Sequence, residues 1–330
     1  MLGFVTILEH LRQRTGYIKT FCDVSRVFAN RQCKDPRDKI YSLLSFIPPR
    51  QRARLRPDYS KPVADVYINA FANMLEEADM SPFCLLGEGF NSTGLDLPSW
   101  VRDFSKVVDV TSQTRRAFEA YPLFNACGGR SGKVNIVNLN HLQMKGIKVD
   151  KVKAKGRVVG AYSADGQHLK KVLDDWCRTC WESGIGVTDD GRDEAFPRVL
   201  CGEVIDGRER GKGQWRLLTE DDAALPTDAE WRDYLTGNSR VLGRKYRIGV
   251  QTASDGRVVY TTDYGRIGLS FPEVEVDDEI WIVDGCKVPF ILRQAGDAGF
   301  HQLIGDTYLQ GLMHGECTKD TAISGAITLV

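Results

Sequence analysis

The spacing of apolar residues changes along the chain, and this change limits the folds that the chain can adopt. From residue 1 to about 80, apolar residues recur every three or four positions, which predicts helices that bury one face. The clearest such stripe consists of Val63, Val66, Tyr67, Ala70, Phe71 and Met74. In residues 134–152, VNIVNLNHLQMKGIKVDKV, apolar and polar residues instead alternate, which predicts antiparallel strands.

The last third of the chain shows two hairpin patterns. YRIGVQT (246–252) and RVVYTTD (257–263) flank Ser254-Asp255-Gly256, and EIWIVDG (279–285) precedes KVPFILR (287–293). Aspartate and glycine between two alternating segments are typical of tight turns that join neighbouring strands. The sequence therefore predicts at least two β-hairpins in this region.

These patterns together predict an α+β fold in one compact unit. Residues 1–115 would form a helical N-terminal layer with a loop-rich tail, packed on antiparallel β structure. Residues 116–330 would form a β-rich region with inserted helices at 165–240. Residues 245–316 would form a small β-barrel-like sheet within that region, which the strands of 130–155 could complete.

Composition excludes several classes of protein. The chain has 330 residues with 44 basic and 44 acidic side chains, and this zero net charge argues against a nucleic-acid partner. No apolar run reaches the roughly 18–20 residues that span a bilayer, so we expect no membrane contact. Nine cysteines without a regular spacing, and an N-terminus without a basic leader, favour free thiols and a cytoplasmic location.

The local motifs argue against redox, metal and nucleotide chemistry. Cys177 and Cys180 resemble a thioredoxin-type pair, but they share a helical face with Leu169, Val172 and Trp176, so we expect both thiols to be buried. GGRSGKV (128–134) is one residue too short for a phosphate loop, and the five histidines are dispersed. We therefore expect no metal and no cofactor.

The segment CKDPRDKIYSLLSF (33–46) begins like a well-capped helix. Asp35 suits the N-cap, Pro36 the first helical position, and Asp38 adds negative charge to the first turn. Capping leaves Arg37 and Tyr41 without an explanation.

Several segments in order resemble the fungal heterokaryon incompatibility family. They include CKDPRDKIYSLLSF, RPDYSKPVADVY (56–67), LPSWVRDF (97–104), MKGIKVDKV (144–152), DEAFPRVL (193–200), residues 264–293 and LIGDTYLQGLMHGE (303–316). The resemblance places Arg37 and Tyr41 in a Pro-Arg-Asp-Lys-x-Tyr signature, where we expect them to anchor the helix to the following loops. Arg102, Phe104 and His314 depart from the residues that are usual in this family.

The resemblance covers the region downstream of the family's Toll/interleukin-receptor-like N-terminal domain. Only about 30 residues precede the signature, so we expect that domain to be missing from this chain. The first functional hypothesis is a regulatory or interaction protein of fungal self/non-self recognition with a protein partner. The alternative is an enzyme of specialised metabolism that binds a small molecule and catalyses a cofactor-free cyclisation, isomerisation or pericyclic step. The sequence leaves open which is correct and gives no oligomeric state.

The candidate site is predicted where the helical layer meets the sheets, because loops between two layers commonly form clefts. A histidine there could transfer protons near neutral pH. The candidate ligand contacts are Trp100, Arg102, Tyr308, Tyr41 and Arg37, and the candidate proton-transfer residues are His314, Glu316 and Asp103. This hypothesis requires Trp100 and His314 to line one cavity.

Overall fold

The structure of the chain is a computed structural model. It describes residues 20–47, 52–87, 89–90, 94–108, 115–158, 175–180, 182–184, 195–207, 215–219, 244–296, 299–318 and 324–330. The chain is α+β, as the sequence predicts.

In the described part of residues 1–115, the N-terminal layer contains three helices: α1 (Phe21–Val27), α2 (Asp38–Tyr41) and α3 (Val63–Glu77). Helix α1 begins at a capping box, in which the Thr20 and Asp23 side chains accept each other's backbone N–H groups. Helix α3 buries the predicted stripe, with Phe71 and Met74 fully inaccessible to solvent. The helical period therefore identified this layer correctly.

The helix after Asp35 is shorter than the sequence predicts. Helix α2 has only four residues, and a 3₁₀ turn follows at Leu44–Phe46. Asp35 lies one turn before the helix, where its carboxylate accepts the backbone N–H of Arg37 at 2.9 Å. Its role is to close the turn that leads into α2.

Nine of the eleven described strands form one sheet, and two form a separate pair. In chain order they are β1 (Asn135–Asn138), β2 (His141–Lys155), β3 (Val204–Asp206), β4 (Trp215–Leu217), β5 (Val258–Thr262), β6 (Ile267–Ser270), β7 (Glu279–Val283), β8 (Phe290–Gln294), β9 (Phe300–Asp306), β10 (Tyr308–Leu309) and β11 (Gly325–Leu329). The large sheet has the order β10-β6-β5-β2-β11-β9-β8-β7, and β3 pairs with β4.

Strand β2 organises the large sheet, because it pairs with four other strands along its 15 residues. Its first residues pair with β1 and β11, its middle with β7 and its last residues with β5. Because β2 pairs with both β11 and β7, strands β2, β11, β9, β8 and β7 form a closed path of paired strands. All pairs are antiparallel except β9 with β11. The predicted β7–β8 hairpin is confirmed.

The other predicted hairpin is wrong, and the C-terminal sheet is not a clear barrel. Residues Arg244–Ser254 form a helix, α5, where the sequence predicted a strand over 246–252. Strands β5 to β10 do not close on one another, since they depend on β2 and β11 for their order. Residues 175–180 and α4 (Ala195–Leu200) supply helices within the predicted insertion, together with β3 and β4.

One continuous apolar cluster joins the helical layer to the sheet. It includes Phe21 of α1, Phe71 of α3, Trp100 of the connecting loop, Leu142 of β2 and Leu329 of β11, all at most 2% exposed. The loop containing Trp100 therefore lies between the two layers and fixes their contact.

Candidate functional site

A cavity of about 30 Å³ lies between helix α5, the turn after α4 and strand β10. The segment Arg116–Leu123 forms another wall, and it begins with a turn of π-helix at Arg116–Ala120. Single π-helical turns are rare and occur frequently at functional sites. The volume corresponds to roughly two water molecules, so a molecule bound there would be small.

A buried ion pair supports one wall of this cavity. Arg257 and Asp306 form a salt bridge with side chains that are 2% and 0% exposed. The Tyr121 hydroxyl donates to the Asp306 carboxylate and accepts from Arg257 at 2.8 Å. The Gly87 N–H also donates to Asp306, at 2.6 Å. This network fixes the positions of Tyr121 and Arg257, which both line the cavity.

The charges of this network determine the protonation of its members. Burial alone would raise the pKa of Asp306, but the charge of Arg257 and the hydrogen bonds from Tyr121, Arg257 and Gly87 hold it below its ordinary value. Burial raises the pKa of Tyr121 well above that of a free tyrosine. Asp306 is therefore an anion and Tyr121 a neutral donor at neutral pH.

Thr252 of α5 and Tyr308 of β10 line the cavity and are 2% and 5% exposed. The Tyr308 hydroxyl interacts with the side chain of Glu203, whereas the Thr252 hydroxyl has no hydrogen-bond partner among the described residues. Burial, together with the nearby negative charge of Glu203, raises the pKa of Tyr308 well above its ordinary value. Arg116 lies beside Thr252 and donates to the main-chain oxygens of Thr252 and Asp255, at 2.9 and 3.1 Å.

His314 lies near this cavity through its contact with Phe124. Its ring is 5.8 Å from that of Phe124, which lines the cavity and is in turn 6.2 Å from the ring of Tyr308. The imidazole Nε2 is 3.3 Å from the Glu203 carboxylate, while Glu316 accepts the main-chain N–H of His314 at 2.7 Å. Glu203 is thus the carboxylate that the imidazole contacts, in place of the predicted Glu316 or Asp103.

Arg102 and Asp103 belong to a second, smaller cavity of about 10 Å³. The Arg102 guanidinium donates to the Leu86 carbonyl at 2.9 Å and lies over the ring of Phe90. Asp103 accepts from the backbone N–H of Ser105 at 2.9 Å and from its hydroxyl. The structure does not bring these two residues together with His314.

Trp100 is fully buried and lines neither of these two cavities in the described part of the chain. Its indole N–H donates to the Asn140 carbonyl at 3.3 Å, and its ring packs against Phe71. The tryptophan therefore joins the two layers. The single cavity between Trp100 and His314 that the sequence analysis required does not form among the described residues.

Arg37 and Tyr41 anchor the loop that precedes α3, as expected. Arg37 forms a two-point ion pair with Asp35 and donates to the carbonyls of Tyr59 and Lys61. The Tyr41 hydroxyl donates to the Asp58 carbonyl at 3.0 Å. Neither residue lines the cavities described above.

The thiols of Cys177 and Cys180 differ in exposure. Both cysteines are reduced, but only Cys180 is buried, while Cys177 is partly exposed. The prediction that both are buried is thus wrong for Cys177, and the predicted partners Leu169 and Val172 lie outside the described residues. Among the residues that the structure describes, no group of three potential metal ligands occurs.

Sequence reasoning missed Arg257, Asp306, Tyr121 and Glu203. Asp306 carried one usable signal, because an acidic residue within the apolar segment LIGDTYL suggests a buried charge. Its partner Arg257 lies 49 positions away, so the pairing depends on the sheet order. In the described ranges, no helix has the length and apolar character needed to cross a bilayer.

Comparison with known proteins points to one group of fungal proteins. Residues 220–324 match the family model described as the Het-6 beta-barrel domain. The chain is also 23% identical to heterokaryon incompatibility protein 6, OR allele, of Neurospora crassa, over 87% of this chain and 49% of that protein. It thus spans about half the length of this curated relative. No solved structure matches the chain.

Proposed function

We propose that this chain, a protein of the heterokaryon incompatibility family, is a regulatory or interaction protein of fungal self/non-self recognition. The observation that carries the proposal is the similarity to an incompatibility protein over 87% of the chain. The similarity extends well beyond the matched domain at 220–324 and so includes the helical layer.

The contacts of the family signature support a role for the scaffold as a whole. Arg37 and Tyr41 hold a loop of the helical layer, and both donate to main-chain oxygens of residues 58–61. Donation to backbone atoms fixes loop shape without contributing chemistry. We infer that these contacts help the chain to present a folded surface, which suits a protein that binds a partner.

The test is a strain-pairing experiment in the fungus that encodes the chain. The gene would be deleted and then restored as the wild type, as Arg257→Met, or as Arg54→Met. Arg257 is in a buried ion pair, whereas Arg54 is half-exposed in its pair with Glu76, so the second variant controls for the loss of an arginine. The measurement is the fraction of dead fusion cells in compatible and incompatible pairings.

We expect deletion and Arg257→Met to change the fraction of dead cells in at least one pairing. Wild type and Arg54→Met should restore the original value. An unchanged fraction in every pairing on deletion of the gene would reject the proposal.

A second candidate function is an enzyme that catalyses a cofactor-free cyclisation, isomerisation or pericyclic step. One specific observation favours it: His314 pairs with Glu203 and contacts Phe124 at the wall of the larger cavity. In this proposal the imidazole moves a proton and Glu203 orients it. Tyr308 would contact the substrate from within the cavity.

The enzyme proposal is tested by comparing small molecules in extracts of the wild-type, deletion and His314→Gln strains. Tyr264→Phe serves as a control, because Tyr264 is 75% exposed and lies outside the cavity. A substrate should accumulate in the deletion and His314→Gln strains alone. His314 is 42% exposed, so its variant should keep the melting temperature of the wild type. Identical metabolite profiles in all strains would exclude this function.

A further inference from the structure

Basic side chains are concentrated in the segment that contains the family signature. Residues 31–62 include nine basic and three acidic residues, although the whole chain has no net charge. Five of the basic residues are exposed in the described part of this segment: Lys34, Arg52, Arg54, Arg56 and Lys61. Of these five, only Arg54 forms a salt bridge with another described residue, Glu76. The helical layer therefore carries a positively charged surface, which attracts acidic groups.

Tyr59 belongs to this segment and is exposed but fixed in position. It is 53% exposed, and its hydroxyl donates to the Asp38 carboxylate at 2.6 Å. The Tyr41 ring meets the Tyr59 ring in an edge-on arrangement, with 5.2 Å between the ring centroids. The Arg37 guanidinium lies over the Tyr59 ring, 5.4 Å from its centroid. An aromatic side chain that is fixed before binding loses little conformational entropy when a partner packs on it, and tyrosines are enriched among the residues that contribute most to protein interfaces.

The main chain around Tyr59 is fixed as well. Arg37 donates to the carbonyls of Tyr59 and Lys61. The Asp58 carboxylate accepts the N–H and the hydroxyl of Ser60, at 3.0 and 2.6 Å. The loop therefore holds Tyr59 and the backbone of Lys61 in one arrangement before a partner binds.

We propose that Tyr59, Arg56 and Lys61 form a docking surface for an acidic segment of a partner protein. Tyr59 would pack against an apolar or aromatic side chain of that segment, and neighbouring carboxylates would pair with Arg56 and Lys61. The proposal rests on the role as an interaction protein, for which it names the surface and the chemistry of the partner.

Two observations favour an acidic protein segment over a nucleic acid on this surface. The chain as a whole has no basic excess, whereas nucleic-acid binding depends on many basic contacts with phosphates. The Arg37 guanidinium also lies over the Tyr59 ring, where a base would stack.

The experiment measures the fluorescence anisotropy of labelled probes that are titrated with the intact chain. The acidic probe is the peptide EEEEWEEEE, which combines carboxylates with one aromatic side chain. Its neutral counterpart is QQQQWQQQQ. The third probe is a single-stranded oligothymidine of similar length, which carries negative charge on phosphates.

The variants are Tyr59→Ser, Arg56→Gln and Lys61→Gln, and each has a matched control. Tyr264→Ser is the control for the tyrosine, because Tyr264 is 75% exposed and also has an arginine guanidinium 5.8 Å from its ring centroid. Lys145→Gln is the control for the charges, because Lys145 is an exposed lysine of strand β2.

We expect saturable binding of the acidic peptide that weakens when the salt concentration rises from about 50 to about 300 mM. Tyr59→Ser should weaken this binding by at least about fivefold. Arg56→Gln and Lys61→Gln should each weaken it by about two- to fivefold, the range for exposed ion pairs. Both controls should bind like the wild type, and all variants should keep the wild-type circular dichroism spectrum.

Three results would overturn the proposal. They are no saturable binding of the acidic peptide, equal or tighter binding of the neutral peptide or the oligothymidine, and acidic-peptide binding that the three surface variants leave unchanged. If Tyr59→Ser fails to fold, the two charge variants provide the test. The strain-pairing experiment compares deletion with the wild type, so a failure of peptide binding rejects this surface without rejecting the role in recognition.

Discussion

At the scale of single residues, the pairing of Arg257 with Asp306 is the most consequential feature of the interior. Asp306 receives hydrogen bonds from three different parts of the chain, through Arg257, Tyr121 and Gly87. Arg257 also lies 4.2 Å from the ring centroid of Phe271 and donates to the Leu269 carbonyl. Because both charges are withdrawn from water, the stability of each depends on the other.

Removing the arginine from this pair should be strongly destabilising. Arg257→Met leaves the Asp306 carboxylate buried without its counter-charge, which we expect to cost about 3–5 kcal/mol of unfolding free energy. Arg54→Met is the control, because its ion pair with Glu76 is about half exposed and should contribute at most about 1 kcal/mol. Urea denaturation measures both values. Equal losses in the two variants would contradict this account of Arg257.

The same carboxylate should make stability depend on pH in the acid range. The pKa of Asp306 is lower in the folded chain than in the unfolded chain, where an aspartate titrates near about 3.9. As the pH falls, the unfolded state therefore binds a proton at this group before the folded state does. Asp306 makes its full contribution to stability above about pH 4, and this contribution decreases at lower pH.

This dependence can be measured as the melting temperature between pH 7 and pH 3. The wild type should lose stability more steeply below about pH 4 than Asp306→Asn, which lacks the titrating group. Asp79→Asn is the control, because the Asp79 side chain is 84% exposed. If Asp306→Asn and the wild type follow parallel curves, the assignment to Asp306 is wrong.

At this scale, the residues that could be predicted are those with local contacts. The contacts of Arg37 and Tyr41 involve residues no more than 24 positions away, and the resemblance to a family indicated them. Arg257, Asp306 and Glu203 acquire their roles from partners 49 to 219 positions away in the sequence. No local pattern specifies such pairings, because they depend on the order of strands in the sheet.

At the scale of elements, the wrong strand at 246–252 shows how tertiary packing overrides a local pattern. Apolar and polar residues alternate in YRIGVQT, and β-branched residues favour strands, yet the segment lies within α5. Gly249 lets this helix approach β3 closely. A methyl group at this position would lie 2.5 Å from the Val204 carbonyl oxygen and 3.3 Å from the Cys201 side chain.

The substitution Gly249→Ala should therefore destabilise the chain, although alanine favours helices more than glycine does. Helix propensity alone predicts a gain of about 1 kcal/mol, whereas the clash with β3 should produce a net loss of about 1–3 kcal/mol. Gln251→Ala in the same helix controls for propensity. Thermal melting of both variants decides the sign, and a raised melting temperature for Gly249→Ala would show that α5 does not pack as described.

Elements with strong periodicity were predicted correctly for a physical reason. Helix α3 and the β7–β8 hairpin each bury one continuous set of apolar residues, so the pattern in sequence and the buried face coincide. Strand β2 was also predicted, but its length and its four partners were not. The sequence shows that a residue faces an interior without showing which neighbour covers it.

At the scale of the whole molecule, hydrogen bonds and apolar contacts join the helical layer to the sheet. Ser99, beside Trp100 in the connecting loop, donates its N–H to the Val330 carbonyl at 2.8 Å, and its hydroxyl accepts the Leu303 N–H at 3.0 Å. The Val134 N–H donates to the Met80 carbonyl at 2.8 Å. These bonds surround the apolar cluster that includes Trp100 and extends from α1 to β11.

Such a shared core should make the helical layer and the sheet unfold together. We expect a single transition in urea, with coincident curves from far-ultraviolet circular dichroism and from tryptophan fluorescence.

Ser99→Ala removes the hydroxyl that accepts from buried Leu303, so it should lower the midpoint by the equivalent of about 1–3 kcal/mol. Because the core is shared, both signals should shift by the same amount. Ser60→Ala, in an exposed loop, should leave the midpoint within about 0.5 kcal/mol of the wild type. Two separate transitions, or a Ser99→Ala effect on one signal alone, would mean that the two layers are independent folding units.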